Sequence, residues 1–263
     1  MIYPVEILRN SYHYGRKDLS DFVYTEYLQM LIVKFINEVS NQKPYFLFGA
    51  TLNRLGFDRA KFGNTLNFFT ENKSVKDFNS INEQIKVQLV LEGYTVKINK
   101  KSKFEYSFNI SSKDFYNPTT NKHNIYKVNI IYYLASKYFK PTLFKTMTAC
   151  WYAEAYDVHS LIDIIDFDYS LSTLLRVVFV KKSIQPIELY DIYKLTTSHM
   201  QLLKQNFFKP TEQKNLKTTL SKIKQKLGNQ KIKDIDSKSF YIIDEYKIEE
   251  FFNFNNWINR LSI

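Results

Sequence analysis

A chain of 263 residues with 44% hydrophobic and 17% aromatic content is long and apolar enough to bury a core, in one large domain or two modest ones. Only 6 Gly and 6 Pro, the high aromatic fraction and the absence of low-complexity runs argue against a chain dominated by disorder. The formal charge of +11 points to polyanionic partners, a nucleic acid or a nucleotide, and a lysine-rich composition raises that charge even without one.

In chain order, MIYPVEILRN lacks the basic flank and apolar run of a secretory signal, and no apolar stretch approaches the ~20 residues of a membrane span, so a cytoplasmic protein with no membrane partner is expected. Ser20 to Ser40 reads as a helix, with Leu28, Leu31, Ile32, Phe35, Ile36 and Val39 on one face. Tyr45 to Phe48 is a short buried strand ended by Gly49, and Leu66 to Phe69 begins another after a charged loop. Ser80 and Glu83 stand in capping-box spacing ahead of Ile81, Ile85, Leu89 and Val90, and Gly93 is placed to stop that helix. Thr95 to Asn99 and Phe104 to Ile110 form a hairpin around Lys100 to Lys103, and Lys127 to Tyr133 supplies a further strand.

From about Ser136 the periodicities turn helical, over 161–180 and again after Pro210, where Leu216, Leu220, Ile223 and Leu227 make one stripe before Gly228. The expectation is a mixed α/β domain over 1–135 and a helical domain over 136–263. Cys150 is the single cysteine and reads as a small buried hydrophobe; no zinc spacing surrounds it.

Two basic surfaces are candidates for RNA. One is the hairpin, with Lys100, Lys101 and Lys103 near Tyr94, Phe104 and Tyr106. The other is the late amphipathic segment, with Lys214, Lys217, Lys222, Lys224, Lys226, Lys231 and Lys233. Lysines contact phosphates without sequence choice and aromatics stack on bases, while the same pattern also suits ordinary solvated faces. Asp157, His159, Asp163, Asp166 and Asp168 cluster, with His159 and Asp163 one helical turn apart. That is a ligand-pair spacing, or else a solvated helix face with Asp caps. His13, His123 and His199 are isolated, and no paired nucleophile and base emerges.

One stretch carries a family resemblance. Tyr45 to Thr51, the loop with Arg59 and Lys61, and Gly63-Asn64-Thr65-Leu66-Asn67-Phe68-Phe69-Thr70 resemble the abortive-infection toxins of the AbiEii type, which have a nucleotidyltransferase fold. That family reads strand, Gly-Gly-Thr turn, a basic loop, Ser-Glu-Asp-Leu-Asp-Phe-Phe, helix and hairpin. Lys127-Val128-Asn129 is similar to its Lys-x-Asp strand, Phe144 to Ala149 to its lysine-bearing helix through Lys145 or Thr146, and Tyr156 to Leu161 to its Arg-Asp-x-x-Asp motif.

The resemblance implies an α+β fold: a nucleotidyltransferase-like mixed sheet flanked by helices, followed by a mainly helical C-terminal region. It also implies a nucleotide site built from Gly49, Ala50, Thr51, Arg59, Lys61, Lys127, Lys145 and Asp157. In active members three carboxylates hold Mg²⁺ and nucleotides are transferred, often to tRNA, under control of an antitoxin. Here those three positions are Thr65, Asn67 and Asn129, the turn's second Gly is Ala50, and the later motif carries Tyr156 and Ser160. Mg²⁺ sites depend on carboxylate charge, so three neutral residues imply a chain without cofactor, degenerate as an enzyme, that binds RNA, a nucleotide or a protein partner. Three alternatives stand beside it: an active transferase needing Mg²⁺ held by other ligands such as Asp58 or Asp157, a structural subunit of a larger complex, and a strand–loop–strand in some other α/β domain.

Overall fold

A computed structural model describes residues 20–39, 45–46, 61–70, 74–113, 116–117, 122–134, 142–147, 160–180, 191–193, 211, 214, 218, 221, 222, 225 and 240–242. The expected features at 47–60, Cys150 and 156–159, the stripe Leu216, Leu220, Ile223 and Leu227, and the lysines Lys217, Lys224 and Lys226 lie outside the described residues.

The first helix, α1 (Ser20–Val39), starts and ends where its sequence pattern places it. It was expected to bury one face. Instead Tyr24 and every residue from Glu26 to Val33 are buried, as are Phe35 and Ile36. A helix buried around its circumference, Glu26 and Gln29 included, needs neighbours on all sides. It packs on the next helix, α2 (Val75–Leu91), and on two strands, β2 (Lys61–Gly63) and β8 (Tyr126–Leu134).

The expected start of α2 at Ser80 is five residues late. Ser74 is the N-cap, its hydroxyl accepting from the Asp77 amide at 3.4 Å, and Asp77 adds negative charge in the first turn. The end is as expected: Gly93 takes φ 90°, the left-handed region that a Cβ disfavours.

The remaining strands are β1 (Tyr45–Phe46), β3 (Thr65–Thr70), β4 (Thr95–Ser102), β5 (Glu105–Ser111), β6 (Tyr116–Asn117), β7 (Lys122–His123), β9 (Leu143–Met147), β10 (Leu161–Ile165) and β11 (Phe240–Ile242). Six of them and β8 form one mixed sheet in the order β4-β5-β8-β3-β1-β10-β9, in which β3 pairs with β8 and β1 with β10 in parallel and the other pairs run antiparallel. With its flanking helices the chain is α+β.

Two expectations fail around β9 and β10. Residues 144–147 belong to a strand, not a lysine-bearing helix, and 161–165 form a strand that runs into α3 (Phe167–Val180) instead of starting it. The expected boundary after residue 135 therefore falls between β8 and β9 of one sheet. Asp166 makes the change of direction. Its carboxylate accepts from the Tyr169 amide at 2.7 Å, capping α3, and from the Thr142 amide at 2.9 Å, tying the helix to the start of β9.

Strand alternation sorts the side chains onto two faces. On one, Phe68, Tyr106, Phe108, Tyr126, Val128, Ile130 and Tyr132 are buried beneath the helices. There Tyr132 stacks on Phe68 and on Phe78 of α2 at 5.8 and 4.5 Å, and Tyr24 of α1 meets Tyr126 at 5.1 Å. On the other face, Phe69 meets Tyr169 of α3 edge-on at 5.0 Å.

Candidate nucleotide-binding face

The three positions where the resembling family has acids are brought together. In the β3–β8 ladder Thr65 is the direct partner of Asn129, and Asn67 follows two residues later on the same face. The adjoining ladders extend this row: Asn129 pairs with Ser107 on β5, and Ser107 with Asn99 on β4. Asn99, Ser107, Asn129 and Thr65 thus lie side by side across four strands.

Asn64, at the bend between β2 and β3, holds two members of the row. Its backbone carbonyl accepts from the Asn129 amide at 2.7 Å, while its side-chain oxygen accepts from the Thr65 hydroxyl at 3.2 Å and from Asn129 Nδ2 at 3.4 Å. Three oxygens on this face, Asn67 Oδ1, Asn129 Oδ1 and Ser107 Oγ, are buried and have no hydrogen-bond partner among the described residues. An orphaned buried acceptor costs about 1–3 kcal/mol, and these three have almost no accessible surface, so they belong to the covered part of this face.

The charge around the row is positive at one edge. One step along the strands, Lys97 on β4 pairs with Asn109 on β5, and Asn109 with Lys127 on β8; both lysines are exposed. Two carboxylates share the face. Glu105, opposite Ile131, is held by Lys101 at 3.3 Å, and Asp163 lies on β10, two strands from β3, with Lys145 as its cross-strand partner. At about 4.8 Å per strand, Lys145 on β9 is roughly 14 Å from β3 and stands apart from the row.

A divalent cation does not fit this donor set. Thr65, Asn67 and Asn129 bring no formal charge, and Asn64 Oδ1 is occupied by two donors. Neutral amide oxygens alone do not meet the demand of Mg²⁺ for carboxylates and near-ideal octahedral geometry. Of the aspartate cluster, Asp163 stands on a strand and Asp166 is a helix cap, and no group of three or more metal-ligating side chains occurs among the described residues, which do not include Asp157 and His159. Ser160, in the later motif, accepts from Asn37 Nδ2, which also donates to the Leu161 carbonyl at 3.0 Å. The pair fastens α1 to β10.

With the fold and this face in view, comparison with solved structures finds a match over the whole of both chains. MenT4, a nucleotidyltransferase toxin from Mycobacterium tuberculosis H37Rv, superposes with a TM-score of 0.56 at 9% identity, covering 100% of each chain. The fold is that of a nucleotidyltransferase toxin. No family model matches the sequence, and no curated protein matches it.

The other expected residues divide into four groups. Gly49, Ala50, Thr51, Arg59 and Asp157 lie outside the described residues. Lys61 was expected in a loop and lies in β2, opposite Ile242 of β11. The hairpin lysines are engaged within the protein: Lys100 donates to Asn79 at 3.2 Å and lies 5.7 Å from the Tyr106 ring, Lys101 pairs with Glu105, and Lys103 lies 5.1 Å from the Phe104 ring. Late in the chain, Lys214 and Lys222 are helical and exposed.

Lys97, Ser107 and Asn109 escaped sequence reasoning, and Asn64, quoted within the Gly63 to Thr70 run, was given no role of its own. The first three belong to no motif, and only the registers of the strand pairs place them near Asn129. Strand alternation within β4 and β5 does carry a weak signal, since it puts Lys97 with Asn99 and Ser107 with Asn109.

Proposed function

We propose that this chain is a catalytically degenerate nucleotidyltransferase-fold protein of the AbiEii-like kind, acting in the cytoplasm by binding RNA, a nucleotide or a protein partner such as an antitoxin. Its setting on this reading is phage defence or a mobile element. One observation carries it: Thr65 and Asn129 are direct ladder partners with Asn67 beside them, so the residues that replace the acids meet on one face. Dispersed neutral residues would have said nothing about chemistry. Assembled, they share one face of the β3–β8 ladder and bring no formal charge to it.

The absent charge matters because phosphoryl transfer relies on metal ions to bridge the triphosphate and neutralise its developing negative charge. Neutral oxygens cannot anchor that ion against a polyphosphate. Gly49, Ala50, Thr51, Arg59, Lys61 and Lys127 remain the residues for holding phosphate, and Lys217, Lys222, Lys224 and Lys226 those for an RNA backbone.

The test incubates the full chain with labelled nucleoside triphosphates, Mg²⁺ or Mn²⁺, and total tRNA. No label transfer is expected. Transfer that is abolished in Asp157→Ala defeats the reading and makes the protein an active transferase with relocated ligands. A hetero-complex that survives nuclease and shows no salt-dependent RNA binding turns it into a structural subunit.

A further inference from the structure

The large sheet ends at β4, and that end is open. Among the described residues β4 pairs with β5 alone, at one end of the strand order. Its ladder is regular from Thr95 to Lys100, about 17 Å of strand, and the register shifts only between Lys100 and Ser102. Thr95, Lys97, Asn99, Lys100, Lys101 and Ser102 are exposed, while Val96 and Ile98 are half-buried. An edge strand of this length turns alternate amides and carbonyls to solvent, which makes it a template for one more strand.

The side chains along the edge specify what kind of strand. Val96 and Ile98 lie opposite Ile110 and Phe108 of β5, on the face beneath α2, and alternation puts Lys97 and Asn99 on the other face. Asn79 of α2 accepts from Lys100 at 3.2 Å and from the Tyr106 hydroxyl at 2.7 Å, so the flank of α2 that carries Asn79 looks toward this edge. Lys86 and Val90 follow seven and eleven residues later on the same flank, and Val90 is 50% exposed. Val90, Val96 and Ile98 thus form an apolar strip along the helix side of the open edge. Basic charge dominates the remainder: over residues 95–105, Lys97, Lys100, Lys101 and Lys103 stand against the single carboxylate of Glu105.

We infer that β4 is a docking edge for an extended segment of a protein partner in which apolar residues alternate with Asp or Glu. Added as a further strand, that segment lays its apolar side chains against Val90, Val96 and Ile98 and turns its carboxylates to Lys97 and Lys101. A second copy is a poor occupant, because joining two β4 edges brings Lys97, Lys100 and Lys101 of both copies into one seam, and like charges on facing strands repel. RNA is a poor occupant too. Lys100, Lys101 and Lys103 already engage Asn79, Glu105 and the Phe104 ring, and neither outward backbone groups nor an apolar strip serves phosphate binding. The inference uses none of Thr65, Asn67 and Asn129, so it holds whether or not that face transfers nucleotides.

Hydrogen exchange read by mass spectrometry on the full chain tests it, with a capped octapeptide of alternating Glu and Val as the probe. The peptide should slow exchange over 95–102 in a saturable way, and the same peptide with Lys in place of Glu should not. Lys97→Glu with Lys101→Glu should weaken the acidic peptide about tenfold or more at low salt, and Val90→Asp should weaken it independently. All three positions are exposed, so an unchanged melting temperature is expected to show that the variants fold.

No protection of β4 by the acidic peptide overturns the inference, as does equal protection by the lysine peptide or by one with Pro at alternate positions, which lacks the amides a ladder needs. Protection of the same residues by a short single-stranded RNA gives the edge to nucleic acid, and a concentration-dependent dimer that protects them without peptide gives it to a second copy; each overturns the inference. Label transfer in the tRNA assay leaves all these outcomes untouched, and their failure leaves the degenerate-enzyme reading standing.

Discussion

At the scale of the residue, Thr65, Asn67 and Asn129 share one face of the β3–β8 ladder and carry no formal charge. Asn is nearly isosteric with Asp, and Thr is smaller and β-branched, so carboxylates can be placed at these positions with little change to the strands. Supplying that charge is a direct experiment on the proposed reading: the variant Thr65→Asp, Asn67→Asp, Asn129→Asp should bind Mn²⁺, and the metal should raise its melting temperature while leaving the parent's unchanged. At a Mn²⁺ concentration of 100 Kd the stabilisation amounts to about 2.7 kcal/mol. A triple variant whose melting is indifferent to Mn²⁺ would show that the side chains do not converge as the ladder places them. Ser74 gives a simpler case. Ser74→Ala removes the hydroxyl that accepts from Asp77 and should cost about 1 kcal/mol in denaturant unfolding.

At the scale of the element, α2 and β8 are joined by a polar contact inside an aromatic cluster. The Tyr132 hydroxyl donates to Asn82 Oδ1 at 3.2 Å, and Asn82 Nδ2 donates to the Phe78 carbonyl at 2.7 Å, all of it buried between stacked rings. Tyr132→Phe keeps the ring but strands the buried Asn82 oxygen, and should cost about 1–3 kcal/mol. Phe78→Ala removes the ring that stacks on Tyr132 and should cost about 3–5 kcal/mol, the larger loss because a cavity is added to the lost burial. Urea midpoints of the two variants give the comparison, and a costlier Tyr132→Phe would mean that hydrogen bonding outweighs packing here.

At the scale of the whole molecule, the buried tyrosines set a limit on alkaline stability. Burial pushes the Tyr132 hydroxyl far above its ordinary value, with the bond to Asn82 opposing it weakly, and burial does the same to Tyr94. Both stay protonated in the folded protein, whereas in the unfolded chain tyrosine ionises near pH ~10. The folded state then binds more protons than the unfolded state above that pH, so stability is full below about pH 10 and falls as pH rises further. Urea midpoints should be flat from about pH 8 to 9.5 and drop by pH 11, with tyrosinate absorbance from these residues appearing together with unfolding. Tyrosinate absorbance from Tyr132 or Tyr94 that rises before unfolding would contradict their burial.

Much of this protein was legible in its residues. Apolar spacing and a Pro after the helix gave α1. Alternation gave β3, β5 and β8, and Gly93 gave the end of α2, because each is a local consequence of backbone sterics and side-chain period. The neutral character of Thr65, Asn67 and Asn129 was also plain, since charge is a property of composition. Local pattern could not distinguish β10 from a helix: Leu161-Ile162-Asp163-Ile164-Ile165 is a short apolar run, and what makes it a strand is pairing along its whole length with β9 and, on its other edge, with β1, more than a hundred residues earlier. The same holds for the site. Lys97, Ser107 and Asn109 acquire meaning only when three strand registers set them beside Asn129, and register is fixed by long-range pairing that no short stretch of sequence contains.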